Sequence, residues 1–184
     1  MSKTLSNHFH GTTGERKFLK VSHQHEYEDD IIKERTQGLD LREHPVIYKS
    51  SLSKKVIKDK VNNRTASRDD YRKIDAMERL AKRRRKGVNE FWKQERRRIK
   101  KGERTTLNWT AEQRDDILHN RRPKVDGRSL QGHHTYSVSK YPHLANKGEI
   151  IFPVTFEDHL YVWHGGNFQN SLPGKPFLRK RKGV

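Results

Sequence analysis

The sequence predicts an α+β fold: a helical, strongly basic N-terminal and middle part, then a small C-terminal unit of two short strands and a helix. Three observations point there. Apolar residues recur at helical spacing between Ser67 and Gly102, inside runs of arginine and lysine. Short β-branched and aromatic runs bounded by turn residues come only after Pro123. Five of the 11 histidines lie between His133 and His164, and two of them are adjacent.

Composition limits what the chain can be. Of 184 residues, 30% are hydrophobic and 35% charged, so a large core along the whole length is not expected. A compact region with weakly ordered or partner-dependent parts fits better. The net charge of +18 calls for a polyanion, either nucleic acid or an anionic membrane surface. No apolar run is long enough to span a bilayer, and the first residues hold no apolar segment of the signal-peptide kind. Cysteine is absent, which excludes disulfides and thiolate metal sites. Any metal must be held by His, Asp, Glu or Asn.

Residues 1–66 show no sustained period and read as a weakly ordered or extended segment, with a short strand possible around Val46–Tyr48. Two HxH pairs, His8/His10 and His23/His25, could bind metal from one strand face. Without a third ligand at a telling distance they read as surface histidines. Residues 67–108 form a basic helical region. Ser67 with Asp70 is a capping box, and Ile74, Met77, Leu80 and Ala81 make the apolar stripe. Gly87 is expected to end or bend this helix. A second helix, with Phe91, Trp92 and Ile99 on its apolar side, closes at Gly102. From Arg68 to Arg104 there are 16 basic and 7 acidic residues, half of the net charge. Such helices can track phosphates without reading sequence; the alternative is a solvated helix face. Arg83, Arg84, Arg85, Arg97, Arg98 and Lys101 are the candidates here, with Arg121, Arg122 and Lys124 further on. The tail from Lys175 adds five positive charges and can track a duplex or simply fray.

Residues 109–184 form the C-terminal unit. Thr110 with Gln113 caps a helix that Pro123 stops. The run HHTYSVS predicts a strand, Pro142 and the segment ANKG a loop, and EIIFPVT a second strand. Thr155 with Asp158 opens a last helix, which Gly165 and Gly166 end. Histidines therefore fall on the first strand and on the last helix. Such imidazoles can hold a divalent cation against a phosphate, while one ring takes a proton from water. His143, in the loop, reads as a surface or packing histidine. Trp163 reads as core, packing the helix on the hairpin.

The residues GRSLQGHH, YPHLANKGEIIFPVT and DHLYVWHGGN, in this order, resemble the HNH, or His-Me finger, nucleases. They are most similar to the GHH-signature nucleases of bacterial polymorphic toxins and more remotely to the nuclease domains of DNase colicins. The likeness runs from Trp109 to Asn170. It implies a ββα-metal motif and a hydrolytic endonuclease acting on DNA with little sequence preference. One divalent ion is implied: zinc, nickel, magnesium or manganese. By position, His134 resembles the general base, His133 and His159 metal ligands, and His164 or Asn167 the residue completing the site. The resemblance also implies a toxin secreted or delivered into a target bacterial cell, acting in its cytoplasm, and a cognate immunity protein, which charge would favour as acidic.

Two departures from the family pattern bear on the site. Its middle Asn would fall near Glu149 or Ile150, so Glu149 substitutes or the orienting role passes to backbone. The helix ligands His159 and His164 are five apart, about 140° around an ideal α-helix. His164 can join only where the helix ends or distorts. Besides a DNase, the sequence admits an RNase on the same scaffold, and a non-enzymatic basic nucleic-acid-binding protein with structural zinc.

Overall fold

A computed structural model describes residues 30–45, 53–168 and 170, with α1 (residues 30–35), α2 (Lys54–Asn62), α3 (Arg68–Lys101) and α4 (Ala111–Leu118). Two antiparallel two-stranded sheets follow, β1 (Lys124–Val125) with β2 (Arg128–Ser129) and β3 (Gln131–His134) with β4 (Ile151–Val154). The fold is α+β. Among the described residues no helix is long and apolar enough to cross a membrane. The expected strand at 46–48, both HxH pairs and the basic tail lie outside the described residues.

The basic region holds one helix of 34 residues where two were expected. Its start is the expected capping box: Ser67 Oγ accepts from the Asp70 amide, and Asp70 accepts from the Ser67 amide. Its end is the expected Gly102, left-handed at φ 67°. Gly87 does not end it, since the helix runs on to Lys101. A Cβ there would lie 2.5 Å from the Ala145 carbonyl oxygen, so this glycine lets a loop press on the helix. A helical glycine costs about 1 kcal/mol relative to alanine. The tertiary contact outweighs that cost.

The middle of α3 is the centre of the core. Phe91 and Trp92 pack with Trp109, Ile117, Leu144 and Ile150. Full burial of a side chain such as Phe91 contributes about 1.5–3 kcal/mol. A second cluster joins Ile32 of α1 to Phe152, Val154 and Trp163. Trp163 thus packs the C-terminal turn onto the hairpin. Both α1 and α2 lie in the N-terminal segment in which the sequence showed no period. Ser53 caps α2 by accepting from the Val56 amide.

Glu95 is fully buried on α3 and ties three segments together. Its carboxylate accepts from the Thr106 amide at 3.0 Å, Thr106 Oγ1 at 2.5 Å and Trp109 Nε1 at 2.8 Å. Arg98 approaches at 2.9 Å and Arg35 of α1 at 3.4 Å. A buried charge survives only when paired and hydrogen-bonded, and this one is both.

The Asp126–Gly127 pair has positive φ at both residues, 49° and 75°, as a two-residue hairpin turn requires. Strand β3 is shorter than the HHTYSVS run suggested. It ends on the histidine pair, with His133 opposite Phe152 and His134 opposite Ile151. The Thr135 amide and hydroxyl both donate to the Ile150 carbonyl at 2.9 Å. This closes the base of the loop 135–150, and the pairing stops there because Gly148–Ile150 is a 3-10 turn.

Candidate active site

Three elements bring the histidines together. Strand alternation sends His133 and His134 to opposite sides of β3. His133 faces the C-terminal turn, where its ring centroid is 5.0 Å from that of His159 and 5.2 Å from that of His164. His159 and His164 are 4.9 Å apart. One ligand atom from each of the three rings lies within 4.8 Å of the others.

The five-residue interval is resolved by a change of winding. Asp158–Trp163 forms a π-helix, in which amides bond five residues back. Residues five apart then lie much closer in angle than in an α-helix, and the ring centroids of His159 and His164 come to 4.9 Å of each other. Thr155 Oγ1 accepts from the Asp158 amide at 3.1 Å, so the expected cap is in place. Gly165 and Gly166 follow with φ of 58° and 85° and end the turn.

Hydrogen bonds orient two of the rings. His159 Nδ1–H donates to Gln131 Oε1 at 2.6 Å, and His164 Nδ1–H donates to the Asn170 carbonyl. Each bond fixes the tautomer with a lone pair on Nε2. His133 is different: it is 4% exposed, and neither ring nitrogen has a hydrogen-bond partner. The Trp163 ring lies 4.3 Å from it by centroids and shuts off one side. A buried imidazole without a partner is costly, and a cation shared with His159 and His164 would satisfy it. Three imidazoles fit a borderline transition ion well and magnesium poorly.

His134 is held by the backbone. Its Nε2–H donates to the Ala145 carbonyl at 3.0 Å, leaving Nδ1 as an acceptor. Of the two ways to orient this ring, Glu149 or backbone, the structure has the second. Glu149 instead accepts from Gln94 Nε2 at 3.0 Å, in a groove it shares with Arg35, Arg97, Arg98 and Lys101.

Burial keeps these rings neutral. It lowers the pKa of His134 from 6.5 to about 4, with the Arg84 charge adding and the Ala145 bond opposing. It also takes His159 to about 4, helped by His164, Arg84 and His134. Burial, then the charges of His159, His164, His134 and Arg84, holds His133 well below 6.5. Metal ligands must be deprotonated, so this is the protonation state that ligation needs.

The structure separates the candidate phosphate-binding residues. Arg84 is near enough for its charge to help lower the pKa values of His133, His134 and His159. Arg83 donates to the His143 carbonyl at 2.7 Å and to Asn146 Oδ1 at 2.6 Å, bracing the loop that carries Ala145. Arg85 lines a groove with Lys54 and Glu78. Arg97, Arg98 and Lys101 begin roughly 20 Å along the helix from Arg84. Arg121 pairs with Asp115 and Asp116, and with Arg122 it borders a groove beside Trp92. The Asn167 amide donates to the His164 carbonyl at 3.1 Å, next to the cluster.

Phe168 escaped the sequence reading. It is 48% exposed, and its ring lies 5.2 Å from His159 and 5.3 Å from His164. An aromatic residue four beyond a histidine in a glycine-rich turn carries no distinctive pattern, so nothing in the sequence marked it.

No curated protein and no solved structure matches the chain. The family model described as "GHH signature containing HNH/Endo VII superfamily nuclease toxin" matches residues 75–155. The match begins inside α3, includes the histidine pair, and stops before His159 and His164. By this match, residues 75–155, a little under half of the chain, are identified as a GHH-signature nuclease toxin domain of the HNH/Endo VII superfamily.

Proposed function

We propose that the chain is a metal-dependent endonuclease that hydrolyses DNA phosphodiester bonds with little sequence preference. The observation that carries this reading is the meeting of His133, His159 and His164, with a fourth imidazole, His134, close enough for its charge to act on His133 and His159 and with an open acceptor nitrogen. In this reading β3, β4 and the C-terminal turn are the ββα-metal motif. His133, His159 and His164 hold one divalent cation, with zinc or nickel favoured by the donor set. When bound, the cation offsets negative charge on the phosphorane and the leaving 3′ oxygen.

The chain's own residues do the rest. His134 accepts a proton from water at Nδ1, and the bond from Nε2 to Ala145 keeps that nitrogen aimed. Being neutral down to about pH 4, it needs no deprotonation before it acts. Arg84 places a positive charge beside the scissile phosphate. The remaining basic residues of α3, with Arg121 and Arg122, hold the backbone at a distance from the chemistry. No side chain here reads base edges in this scheme, hence the low specificity.

The same reading makes this the toxic domain of an effector delivered into a competing bacterium, acting on DNA in its cytoplasm. A producer of such an enzyme needs an inhibitor, and a +18 chain selects an acidic immunity protein on electrostatic grounds. The test is plasmid nicking with magnesium, manganese, nickel and zinc in turn, a chelator control, and total RNA in parallel. Nicking in at least one metal, abolished by chelator, is expected. Cleavage of RNA alone would move the activity to an RNase. Tight zinc binding with no cleavage of either polymer would leave a structural zinc module and end the hydrolytic reading.

A further inference from the structure

A second group of potential ligands lies where the N-terminal segment crosses the loop 135–150. One carboxylate oxygen of Asp40 and one nitrogen from each of His44 and His143 lie within 4.8 Å of one another. His44 Nε2 is 3.0 Å from Asp40 Oδ2. The rings of His44 and His143 meet edge to face, 4.5 Å apart by centroids. His143 Nε2–H donates to the Asp40 carbonyl at 2.7 Å, which fixes the ring, and its Nδ1 is buried with no hydrogen-bond partner.

The two segments are already zipped together here. The His44 amide donates to the Lys140 carbonyl at 2.8 Å, and Lys140 Nζ donates to Glu43 Oε1 at 2.9 Å. The donors of the cluster are therefore pre-positioned by backbone contacts, as an ion-binding site requires. None of the three residues belongs to the His133, His159 and His164 cluster. We infer that Asp40, His44 and His143 form a second metal site, of the zinc class, that fastens residues 40–44 to the loop carrying Ala145.

The donor set is what selects the ion. Two imidazoles and a carboxylate suit zinc, with solvent completing a tetrahedron. Arg42 is the built-in competitor. Its guanidinium makes two contacts of 2.9 Å with the Asp40 carboxylate. The Arg42 side chain is 82% exposed and can swing into solvent when an ion arrives. The consequence reaches the first site through the loop: His143 is two residues from Ala145, whose carbonyl holds His134.

The test uses the full chain, stripped of metal, with zinc alone as probe. Other histidines are present, so stoichiometry is read as a difference between variants by equilibrium dialysis. His44→Ala is expected to bind one zinc fewer than the parent, His159→Ala one fewer, and the double variant two fewer. Asp40→Asn, which preserves shape, is expected to behave as His44→Ala. Arg42→Ala is expected to bind the second zinc several-fold more tightly. Zinc is expected to slow amide exchange at 40–44 and 140–144 at least tenfold in the parent and not in His44→Ala. Unchanged stoichiometry in both His44→Ala and Asp40→Asn, or exchange in these segments indifferent to zinc, would overturn the inference.

Discussion

The Gly87 backbone runs so close to Ala145 that a Cβ on the glycine would lie 2.5 Å from the Ala145 carbonyl oxygen. That oxygen is the acceptor for His134 Nε2–H. A position on the long helix thereby sets the aim of the candidate base. Gly87→Ala opposes two effects. Alanine gains about 1 kcal/mol of helix propensity. Overpacking against backbone costs about 1–3 kcal/mol. The clash should win, lowering the melting temperature slightly. Displacement of the carbonyl should slow nicking roughly tenfold to a hundredfold. Zinc binding by His133, His159 and His164 should be unchanged. Full nicking activity in this variant would show that the carbonyl does not position the base.

His134→Ala should remove proton transfer while keeping the metal ligands. Cleavage is expected to fall roughly 10²- to 10⁴-fold. Retention on DNA and binding of zinc should persist, measured by gel shift and dialysis. Loss of folding with loss of activity would instead make His134 a structural residue.

Glu95→Ala leaves Arg35 and Arg98 facing an empty buried site and strips partners from Thr106 and Trp109. Breaking a buried ion pair from one side costs about 3–5 kcal/mol. Urea unfolding should show a loss of that order with little change in slope. A loss under 1 kcal/mol would mean the network contributes little.

The lowered histidine pKa values make the metal-free protein sensitive to acid. His134 and His159 titrate near pH 4 when folded, against an ordinary 6.5. Between those values the unfolded chain binds more protons than the folded one, so stability rises with pH. Their contribution is complete above pH 6.5 and drains away as pH falls towards 4. The slope is at most about 1.4 kcal/mol per pH unit for each ring. Thermal melts without metal should drop through that window, and added zinc should steepen the drop. His159→Ala should flatten it. A melting temperature constant from pH 7 to pH 4.5 would contradict the burial of these rings.

Local signals in the sequence were readable. The boxes at Ser67–Asp70 and Thr110–Gln113 and the stop at Gly102 each depend on residues a few positions apart. What depended on distant partners was not. Gly87 reads as a breaker until the loop that needs its missing side chain is seen. Glu95 reads as one more charge on a polar helix, because its five contacts come from α1, its own helix and the segment after it. TYSVS has strand composition, yet the segment opposite it winds into a 3-10 turn at Gly148–Ile150 and leaves it no strand to pair with. The runs of arginine could not be divided by role from sequence, since adjacent positions on a helix point to different neighbours. Arg83 and Arg84 differ by one residue, but one braces a loop and the other acts on the imidazoles through its charge.

The wide winding of Asp158–Trp163 has a genealogical consequence. With α-winding, a gap of four residues would align the two rings; here five are needed, so gap length and helical pitch must change together. No point substitution converts one form into the other. Loss of a single codon between Leu160 and Trp163 is the shortest route, and it should preserve zinc affinity if the segment rewinds. A pattern search demanding the shorter gap will pass over every chain built like this one.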